Sequence, residues 1–367
     1  MGDYPLMSVF DALEYTGHEL ILHCRLGDTG HHAIIAIHDS TLGPALGGCR
    51  MWPYATDDAA LTDVLRLSRG MTYKNALADL PLGGGKSVII GDPATDRSPE
   101  LWIAFAESVA ALGGRYWTAQ DVGLDMEDVV SVARHTQWVG GFDRATGKGR
   151  DPSRMTALGI LHGIRAAVAH RLGRDTLEGV RVLVQGVGHV GELVCRHLKE
   201  AGARVFVSDI NAERARSLAE ALDAEVVAAD AAYDTEAEVY SPCALGATLN
   251  EHTIPRLRVP IVAGAANNQL SVPEAAQWLA SRDILYAPDY VINAGGVIDV
   301  GREAIEGATQ PDTEARVVGI YDRLMQIFEA AAASGRTTAE VADGIVLERI
   351  GHSPLAKKRG PPPPRSG

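Results

Sequence analysis

The chain has 367 residues, 46% of them hydrophobic and 22% charged, which is typical of a soluble globular protein with two domains. Its formal net charge of −13 argues against nucleic acid or an anionic membrane surface as a partner. No apolar run reaches the ~20 residues that span a bilayer, and the N-terminus does not read as a signal peptide. Four scattered cysteines without a CxxC pair predict reduced thiols and a cytoplasmic location.

The first half of the chain shows sheet and helix patterns in turn. Extended apolar runs at 20–22 and 33–37 predict strands, and apolar residues at helical spacing predict a helix over 57–69. Residues 87–90 predict a buried strand. A polar loop at 141–153 indicates a hinge between two domains.

Strand and helix patterns alternate beyond that loop, which predicts a doubly wound parallel sheet. The sequence shows no internal repeat. The last segment, 353–367, contains four consecutive prolines and is predicted to be a disordered tail.

A glycine-rich motif follows a predicted strand in this second half. Gly186 permits a tight turn, Gly188 lets a pyrophosphate approach the backbone, and Gly191 allows close packing of helix on strand. The next strand ends at Asp209, whose carboxylate can bind the ribose hydroxyls and repels a 2′-phosphate. The pattern predicts a site for NAD rather than NADP; a preference for NADP would mean that a nearby arginine, such as Arg214, overrides the carboxylate. A Rossmann-like sheet that binds no dinucleotide is the alternative.

The stretch YKNALADLPLGGGK places Lys74 and Lys86 around a mostly apolar run. One interpretation is a helix, a turn and a strand whose lysines point outward. The ending Gly85-Lys86-Ser87 resembles a phosphate-binding P-loop, but Leu80 stands where that loop requires glycine, and the predicted strand follows the lysine. A site that uses both lysines is the remaining interpretation.

Seven ordered motifs resemble the glutamate/leucine/phenylalanine/valine dehydrogenase family from about residue 8 to about residue 350. They are LGPALGGCR (42–50), GMTYKN (70–75), LGGGK (82–86), TAQDVG (118–123), SPCALG (241–246), AGAANNQL (263–270) and YAPDYVINAGG (286–296). The resemblance implies an NAD(P)-dependent enzyme that oxidatively deaminates L-amino acids to 2-oxo acids and ammonia, reversibly. It also implies a homo-oligomer.

The resemblance also implies the domain plan. An N-terminal α/β domain over 1–145 would bind substrate and mediate oligomerisation, and a C-terminal helix at about 325–352 would return to it. A Rossmann domain over 146–324 would bind NAD.

Three residues carry the family's chemistry by resemblance. Lys74 would hold the substrate carboxylate, and Lys86 would be the general base and acid that activates water. A lysine acts as a base only when neutral, a form that a second nearby cation favours. Asp121 would shuttle protons to and from the substrate nitrogen, although an aspartate in this context can simply cap a turn. The glycines 83–85 would leave room beside Lys86 for substrate and nicotinamide.

The resemblance assigns a further set of residues to the cofactor. Asn267 would contact both substrate and cofactor, while either Asn267 or Asn293 could instead cap local backbone. No metal is assigned, because His31-His32 lack a partner ligand at useful spacing. The cofactor set is Arg50, Thr156, Gly186, Val187, Gly188, His189, Val190, Gly191, Asp209, Ile210, Ala244, Leu245, Asn267 and Asn293.

The substrate pocket would be walled by Leu46, Gly47, Ala119, Val297 and Val300. Glutamate-specific relatives place a lysine where Leu46 stands, so an apolar substrate is expected. The methyl group of Ala119 and the side chains of Val297 and Val300 favour leucine, valine or isoleucine as the substrate. Phenylalanine or tryptophan remains an alternative substrate. A catalytically inactive NAD-binding regulator is the remote alternative.

Two segments depart from the family pattern. The segment after Asp121 is about two residues shorter than usual, and the loop 141–153 is unusually charged.

Overall fold

The computed structural model describes residues 9–12 and 14–352, which form two compact units. The first unit extends to Arg150 and adds Val300–Ala308 and the chain from Leu347; the second comprises Asp151–Asp299 and Thr309–Val346. The chain returns to the first unit twice, at Val300–Ala308 and from Leu347, where the sequence predicted one return by a helix at about 325–352. The tail predicted at 353–367 lies outside the described residues.

The first unit is a mixed sheet with helices on both faces. The sheet order is β1-β2-β5-β3-β6, with β4 also paired to β5; β2 runs antiparallel to β1 and β5, and β3 and β4 run parallel to β5. The elements are β1 (Leu20–Arg25), β2 (His32–Asp39), β3 (Ala45–Leu46), β4 (Cys49–Trp52), α1 (Asp57–Leu77), β5 (Gly83–Ile90), α2 (Pro99–Ala110), β6 (Tyr116–Trp117), α3 (Met126–Ala133), β7 (Phe142–Asp143) and β8 (Lys148–Gly149).

Alternation along β2 divides the core of this unit. Ile34 and Ala36 pack with Val64 and Leu65 of α1, whereas Ile35 and Ile37 face the opposite cluster. That cluster includes Phe105 of α2. The period of two in strand side chains therefore places α1 and α2 on opposite faces of the sheet.

Helix α1 confirms the predicted helix and continues beyond it to Leu77. Its first turn is capped by Thr56, whose side chain accepts a hydrogen bond from the backbone N–H of Ala59. Gly70 weakens the helical pattern, but Thr72 and Asn75 are buried beyond it. Tertiary packing thus extends the helix past its sequence signal.

The glycines 83–85 lie inside strand β5 and are packed against protein atoms. A Cβ at Gly84 would lie 2.1 Å from the backbone nitrogen of Thr72, and one at Gly85 would lie 2.8 Å from the ring of Tyr116. The expectation that these glycines leave room for a ligand is therefore wrong on the side where their Cβ atoms would point. They let α1 and β6 approach the strand.

The loop 141–153 contains a two-stranded hairpin, β7–β8, rather than irregular chain. Both strands belong to the first unit, whose first segment ends at Arg150.

The second unit contains a six-stranded sheet of order β11-β10-β9-β12-β13-β14, with every pairing parallel. The predicted doubly wound α/β fold is confirmed. Its elements are α4 (Ser153–Leu172), β9 (Arg181–Gln185), α5 (His189–Glu200), β10 (Arg204–Ser208), α6 (Ala212–Leu222), β11 (Glu225–Val226), β12 (Val239–Pro242), β13 (Ile261–Val262), α7 (Ala275–Ser281), β14 (Leu285–Tyr286), α8 (Asp289–Ile292), α9 (Gly295–Val300), α10 (Gln310–Val318), α11 (Ile320–Ser334) and α12 (Thr338–His352); α9 and α12 end within the first unit.

Within the described part of the chain, no helix is long and apolar enough to cross a bilayer.

Candidate active site

Lys86 and Asp121 meet in the first unit. The ammonium Nζ of Lys86, in β5, lies 2.5 Å from the carboxylate Oδ2 of Asp121. The Lys86 side chain is 8% exposed and that of Asp121 is 21% exposed. The pair is thus largely shielded from water, which strengthens the interaction between its charges.

The backbone around Asp121 is fixed by its neighbours. The N–H groups of Cys49 and Met51 in β4 donate to the carbonyls of Ala119 and Val122, at 2.8 and 2.9 Å. Gly123 has φ +86°, and a Cβ there would lie 2.1 Å from the carbonyl oxygen of Met51. The short segment after Asp121 therefore follows a turn that only glycine fits easily.

Arg50 connects Asp121 to two residues that the sequence analysis did not identify. Its Nε lies 3.5 Å from Asp121 Oδ2, and its Nη1 donates to Asp63 Oδ2 at 2.9 Å. The hydroxyl of Tyr54 donates to the same oxygen of Asp63 at 2.6 Å. We call Lys86, Asp121, Arg50, Asp63 and Tyr54 the ionic cluster.

Opposite charges in the ionic cluster stabilise the ionised forms of Asp121 and Arg50. Burial alone would raise the pKa of Asp121, but Lys86 and Arg50 outweigh it, and the pKa lies below its ordinary value. Burial alone would lower the pKa of Arg50, but Asp121 and Asp63 outweigh it and raise that pKa. Burial and the hydrogen bond to Asp63 raise the pKa of Tyr54. The ion pairs thus set Lys86 and Arg50 against Asp121 and Asp63, and the phenol of Tyr54 stays neutral.

Lys74 lies in the last turn of α1 and is half-buried. It follows Met71 by three residues, so both lie on neighbouring positions of the helix surface. A Cβ at Gly47 would lie 3.1 Å from Cγ of Met71 and 1.8 Å from the carbonyl oxygen of Gly85. Lys74 is thus carried by the helix that packs on Gly47 and β5.

Leu46 and Val300, two of the predicted pocket residues, lie together. A Cβ at Gly140 would lie 3.1 Å from Cγ1 of Val300 and 3.3 Å from Cδ1 of Leu46. Leu46 is fully buried and Ala119 is 5% exposed. Val297 is half-buried and belongs to the second unit.

An ion pair fastens the chain beside Val300. Arg150 pairs with Glu303, and both side chains are largely buried. Glu303 Oε2 also accepts the backbone N–H of Gly141 at 3.3 Å, and the Arg150 N–H donates to the Gly141 carbonyl at 2.8 Å. The charged loop thus ties the β7–β8 hairpin to Val300–Ala308.

The glycine-rich loop in the second unit has the geometry of a phosphate site. Gly186 has φ +91°, and a Cβ there would lie 2.6 Å from Cβ of Ala244. A Cβ at Gly191 would lie 1.9 Å from the Gly186 carbonyl oxygen, whereas one at Gly188 would meet nothing within 4 Å. Helix α5 begins after Gly188 without a side-chain cap, so its first amides and the open space fit an anion.

Asp209 fixes this loop from the end of β10. Its carboxylate accepts the N–H of Val187 at 2.9 Å and that of Asn211 at 2.8 Å, and its side chain is 7% exposed. Each carboxylate oxygen keeps further acceptor capacity, so a ribose hydroxyl can still bind. Arg214 Nη1 lies 4.0 Å away.

The remaining loop residues differ in exposure. Ile210 and Leu245 are 95% and 78% exposed, and Val190 is half-buried. His189 is exposed, and its Nε2 lies 2.7 Å from Asp151 Oδ2. These two exposed apolar side chains directly follow Asp209 and Ala244, which lie against the glycine-rich loop.

Asn267 and Asn293 are joined by a hydrogen bond. Asn293 Nδ2 donates to Asn267 Oδ1 at 2.9 Å, and Asn293 Oδ1 is buried with no hydrogen-bond partner among the described residues. Asp289, which the sequence analysis did not identify, accepts the N–H of Asn268 at 2.7 Å. Thr156 Oγ1 would lie 2.6 Å from a Cβ at Gly296.

Two signals in the sequence could have revealed the residues that were missed. Asp63 adjoins the buried Val64 in an amphipathic helix, and Asp289 precedes a buried apolar segment. A carboxylate beside a buried face needs a partner, which is a reason to look for one.

Two family models match most of the chain. Residues 18–138 match the Glu/Leu/Phe/Val dehydrogenase dimerisation domain, and residues 147–213 and 206–343 match glutamate/leucine/phenylalanine/valine dehydrogenase.

Individual relatives are similar over nearly their full length. The chain is 46% identical to a leucine dehydrogenase of Thermoactinomyces intermedius, covering 94% of both chains. It is 45% identical to a phenylalanine dehydrogenase of Bacillus thermotolerans, covering 91% of this chain and 88% of that one. The crystal structure of L-tryptophan dehydrogenase from Nostoc punctiforme matches with a TM-score of 0.83 and 44% identity, covering 96% of this chain and 100% of that one.

Proposed function

Because the chain belongs to the glutamate/leucine/phenylalanine/valine dehydrogenase family and is an amino-acid dehydrogenase, we propose that it deaminates an apolar L-amino acid with NAD. The products would be the 2-oxo acid, ammonia and NADH, and the reaction would run in both directions. The observation that carries the proposal is the shielded contact between Lys86 and Asp121.

The two side chains divide the proton chemistry of this reaction. Asp121, ionised because its pKa is lowered, would accept a proton from the substrate ammonium before oxidation. Lys86 in its neutral form would take a proton from the water that attacks the substrate iminium, and would return it to the departing nitrogen. Lys74 would bind the substrate carboxylate.

The second unit fits a dinucleotide at its glycine-rich loop. The open space at Gly188 and the uncapped start of α5 would take the pyrophosphate, and Asp209 would take the ribose. NAD bound there would supply the hydride acceptor for the substrate Cα. Asn293 Oδ1 is a buried acceptor of the kind that the amide of a nicotinamide requires.

An apolar wall supports an apolar substrate. Leu46 is fully buried. A Cβ at Gly301 would lie 3.1 Å from Cδ2 of Leu46 and 3.0 Å from Cδ1 of Leu82, so both leucines pack against that glycine. A distal carboxylate placed there would lose hydration without a partner, which costs several kcal/mol. Leucine, valine and isoleucine are therefore favoured. Phenylalanine and tryptophan are the second candidates, since dehydrogenases named for them are also similar to this chain.

We also propose a homo-oligomer in the cytoplasm. The first family model is described as a dimerisation domain, and β1 pairs with β2 alone among the described strands, which leaves one sheet edge open. The four cysteines are free thiols, as expected in a reducing compartment. Light scattering on the purified chain measures the number of subunits.

The proposal is tested by NADH formation at alkaline pH with leucine, valine, isoleucine, phenylalanine, tryptophan and glutamate. We expect the highest kcat/KM for a branched aliphatic amino acid and the lowest for glutamate. A parallel preparation of Lys86→Met controls for contaminating dehydrogenases.

Each outcome has a distinct meaning. A higher kcat/KM for phenylalanine or tryptophan than for leucine would support the aromatic alternative. NADH binding without turnover of any amino acid would support the inactive regulator and reject the proposed reaction.

A further inference from the structure

We propose that Asp63 and Tyr54 act as positioning residues that hold Arg50, and through it Asp121, beside Lys86. The inference rests on the proposed role of Asp121 in proton transfer. It gives Arg50 a role in the first unit that differs from the cofactor contact implied by the family resemblance.

The geometry forms a continuous chain of contacts. Arg50 in β4 places Nε 3.5 Å from Asp121 Oδ2 and donates from Nη1 to Asp63 Oδ2 at 2.9 Å. Asp63 comes from α1, so the guanidinium joins a helix to the sheet. The side chains of Arg50, Asp63 and Asp121 are 23%, 14% and 21% exposed, so none of them is a freely solvated surface charge.

Asp63 determines how the guanidinium can approach Asp121. A planar guanidinium binds a carboxylate most strongly through two parallel hydrogen bonds. Here Nη1 is engaged by Asp63, and the contact with Asp121 is made through Nε, at a distance longer than an ordinary hydrogen bond. Asp63 therefore keeps Arg50 from closing over Asp121, which leaves Oδ2 in contact with Lys86.

Tyr54 fixes Asp63 in turn. Its hydroxyl donates at 2.6 Å to Oδ2, the oxygen that also accepts Arg50 Nη1. Two donors on one oxygen restrict rotation of the carboxylate. Without the phenol, Asp63 would keep its charge and lose this restraint.

Among the described residues, two basic side chains and the weak acids Cys49, Tyr54 and Tyr116 interact with Asp121. Lys86 and Arg50 are the cations in contact with it. Burial raises the pKa of the nearby Cys49 thiol to about 12 and also raises the pKa of Tyr116, so both are neutral. Removing a charge at Arg50 or Asp63 should therefore change the pH at which the Lys86–Asp121 pair loses a proton.

This arrangement predicts shifts of opposite sign in the pH dependence of deamination. The limb of kcat/KM that rises with pH reports deprotonation of the pair as a whole. Asp63→Asn removes a negative charge and should move this limb to lower pH by about one unit, since the site becomes more positive. Arg50→Gln removes a positive charge and should move it to higher pH. Tyr54→Phe should lower kcat several-fold without moving the limb.

The experiment compares these variants with Asp58→Asn, which removes the same charge from an exposed position of the same helix. Asp58→Asn should leave the profile and kcat unchanged. NADH dissociation constants, measured by fluorescence, should stay within about twofold of wild type in Asp63→Asn. Loss of fold alone would lower activity in all variants and would not produce opposite shifts.

A second measurement needs no turnover. Thermal unfolding of Asp63→Asn, Asp121→Asn and the double variant should give non-additive shifts in Tm, because both carboxylates share Arg50. The corresponding cycle with Asp58 should be additive. If the wild type forms no NADH, the proposed reaction fails, and this cycle still tests the positioning.

Three results would overturn the inference. They are shifts of the pH limb in the same direction for Asp63→Asn and Arg50→Gln, an additive cycle between Asp63 and Asp121, and a tenfold weaker NADH affinity in both variants with an unmoved pH limb. The last result would identify Arg50 as a cofactor ligand.

Discussion

Replacing Lys86 with methionine tests the proposed chemistry most directly. Methionine keeps most of the side-chain volume at a position that is 8% exposed, so packing against the sheet is retained while the ammonium is lost. General acid–base catalysis by one side chain contributes roughly 10²- to 10⁴-fold. The expected loss in kcat is therefore about 3 to 5 kcal/mol in the activation free energy.

The free energy of unfolding of Lys86→Met should fall by less than is usual when a buried ion pair loses one partner. Removing one partner of a buried ion pair typically costs about 3 to 5 kcal/mol, because the other charge is left without compensation. In Lys86→Met the charge of Asp121 keeps a compensating cation, because Nε of Arg50 still lies 3.5 Å from its carboxylate. We expect the free energy of unfolding to drop by about 1 to 3 kcal/mol, and the pKa of Asp121 to rise toward its ordinary value.

The assay is steady-state NADH formation with leucine, together with urea unfolding. Lys74→Met should mainly raise KM for the amino acid, because Lys74 is predicted to bind the substrate carboxylate in both the ground and the transition state. Lys199→Met, a lysine on α5 of the second unit that donates to a backbone carbonyl, controls for loss of charge. Near-wild-type kcat in a folded Lys86→Met enzyme would refute the assignment.

Three further predictions concern specificity and stability. Ala119→Gly should shift the leucine-to-phenylalanine ratio of kcat/KM toward phenylalanine by about 1–3 kcal/mol, and an unchanged ratio would show that Ala119 does not line the pocket. Asp209→Asn should raise kcat/KM for NADP relative to NAD at least about tenfold, since the charge that repels a 2′-phosphate is lost; an equal ratio in both enzymes would contradict this. Burial, with His18 and Arg69 adding to it, lowers the pKa of His38 to about 3. The unfolded chain then binds more protons, so the free energy of unfolding should fall by about 2 kcal/mol from pH 7 to pH 5, as urea titrations can measure, and an undiminished fall in His38→Asn would argue against this origin.

The elements of the fold could be predicted from the sequence wherever a local pattern of residues determines them. Alternating strand and helix patterns after about residue 180, with Gly186 and Gly191 at a strand–helix turn, require a parallel sheet. The extension of α1 to Leu77 and the strand character of 83–85 could not be predicted, because both depend on packing between segments. Glycine disfavours helix and strand locally, and here close approach of Thr72 and Tyr116 overrides that preference.

The candidate site divides in the same way. Lys86 and Asp121 lie in motifs that can be recognised, and the structure places them in contact. Asp63 and Tyr54 have no motif of their own; Asp63, in α1, reaches both Arg50 of β4 and Tyr54, which lies between β4 and α1, only in the folded chain. Partners brought together by tertiary structure leave no periodic pattern in the sequence, apart from a carboxylate next to a buried helix position.

The charge balance of the ionic cluster bears on how Lys86 and Asp121 can work together. A proton taken up by Asp121 leaves Lys86 and Arg50 opposed by Asp63 alone, so the cluster carries one excess positive charge. In a site shielded from water such an excess is costly, and it favours release of a proton from Lys86. In the proposed mechanism, proton uptake at Asp121 would therefore promote the neutral form of Lys86 that hydrolysis of the iminium would require. Asp63 limits the excess to a single charge, which is a physical reason for a carboxylate at that position behind Arg50.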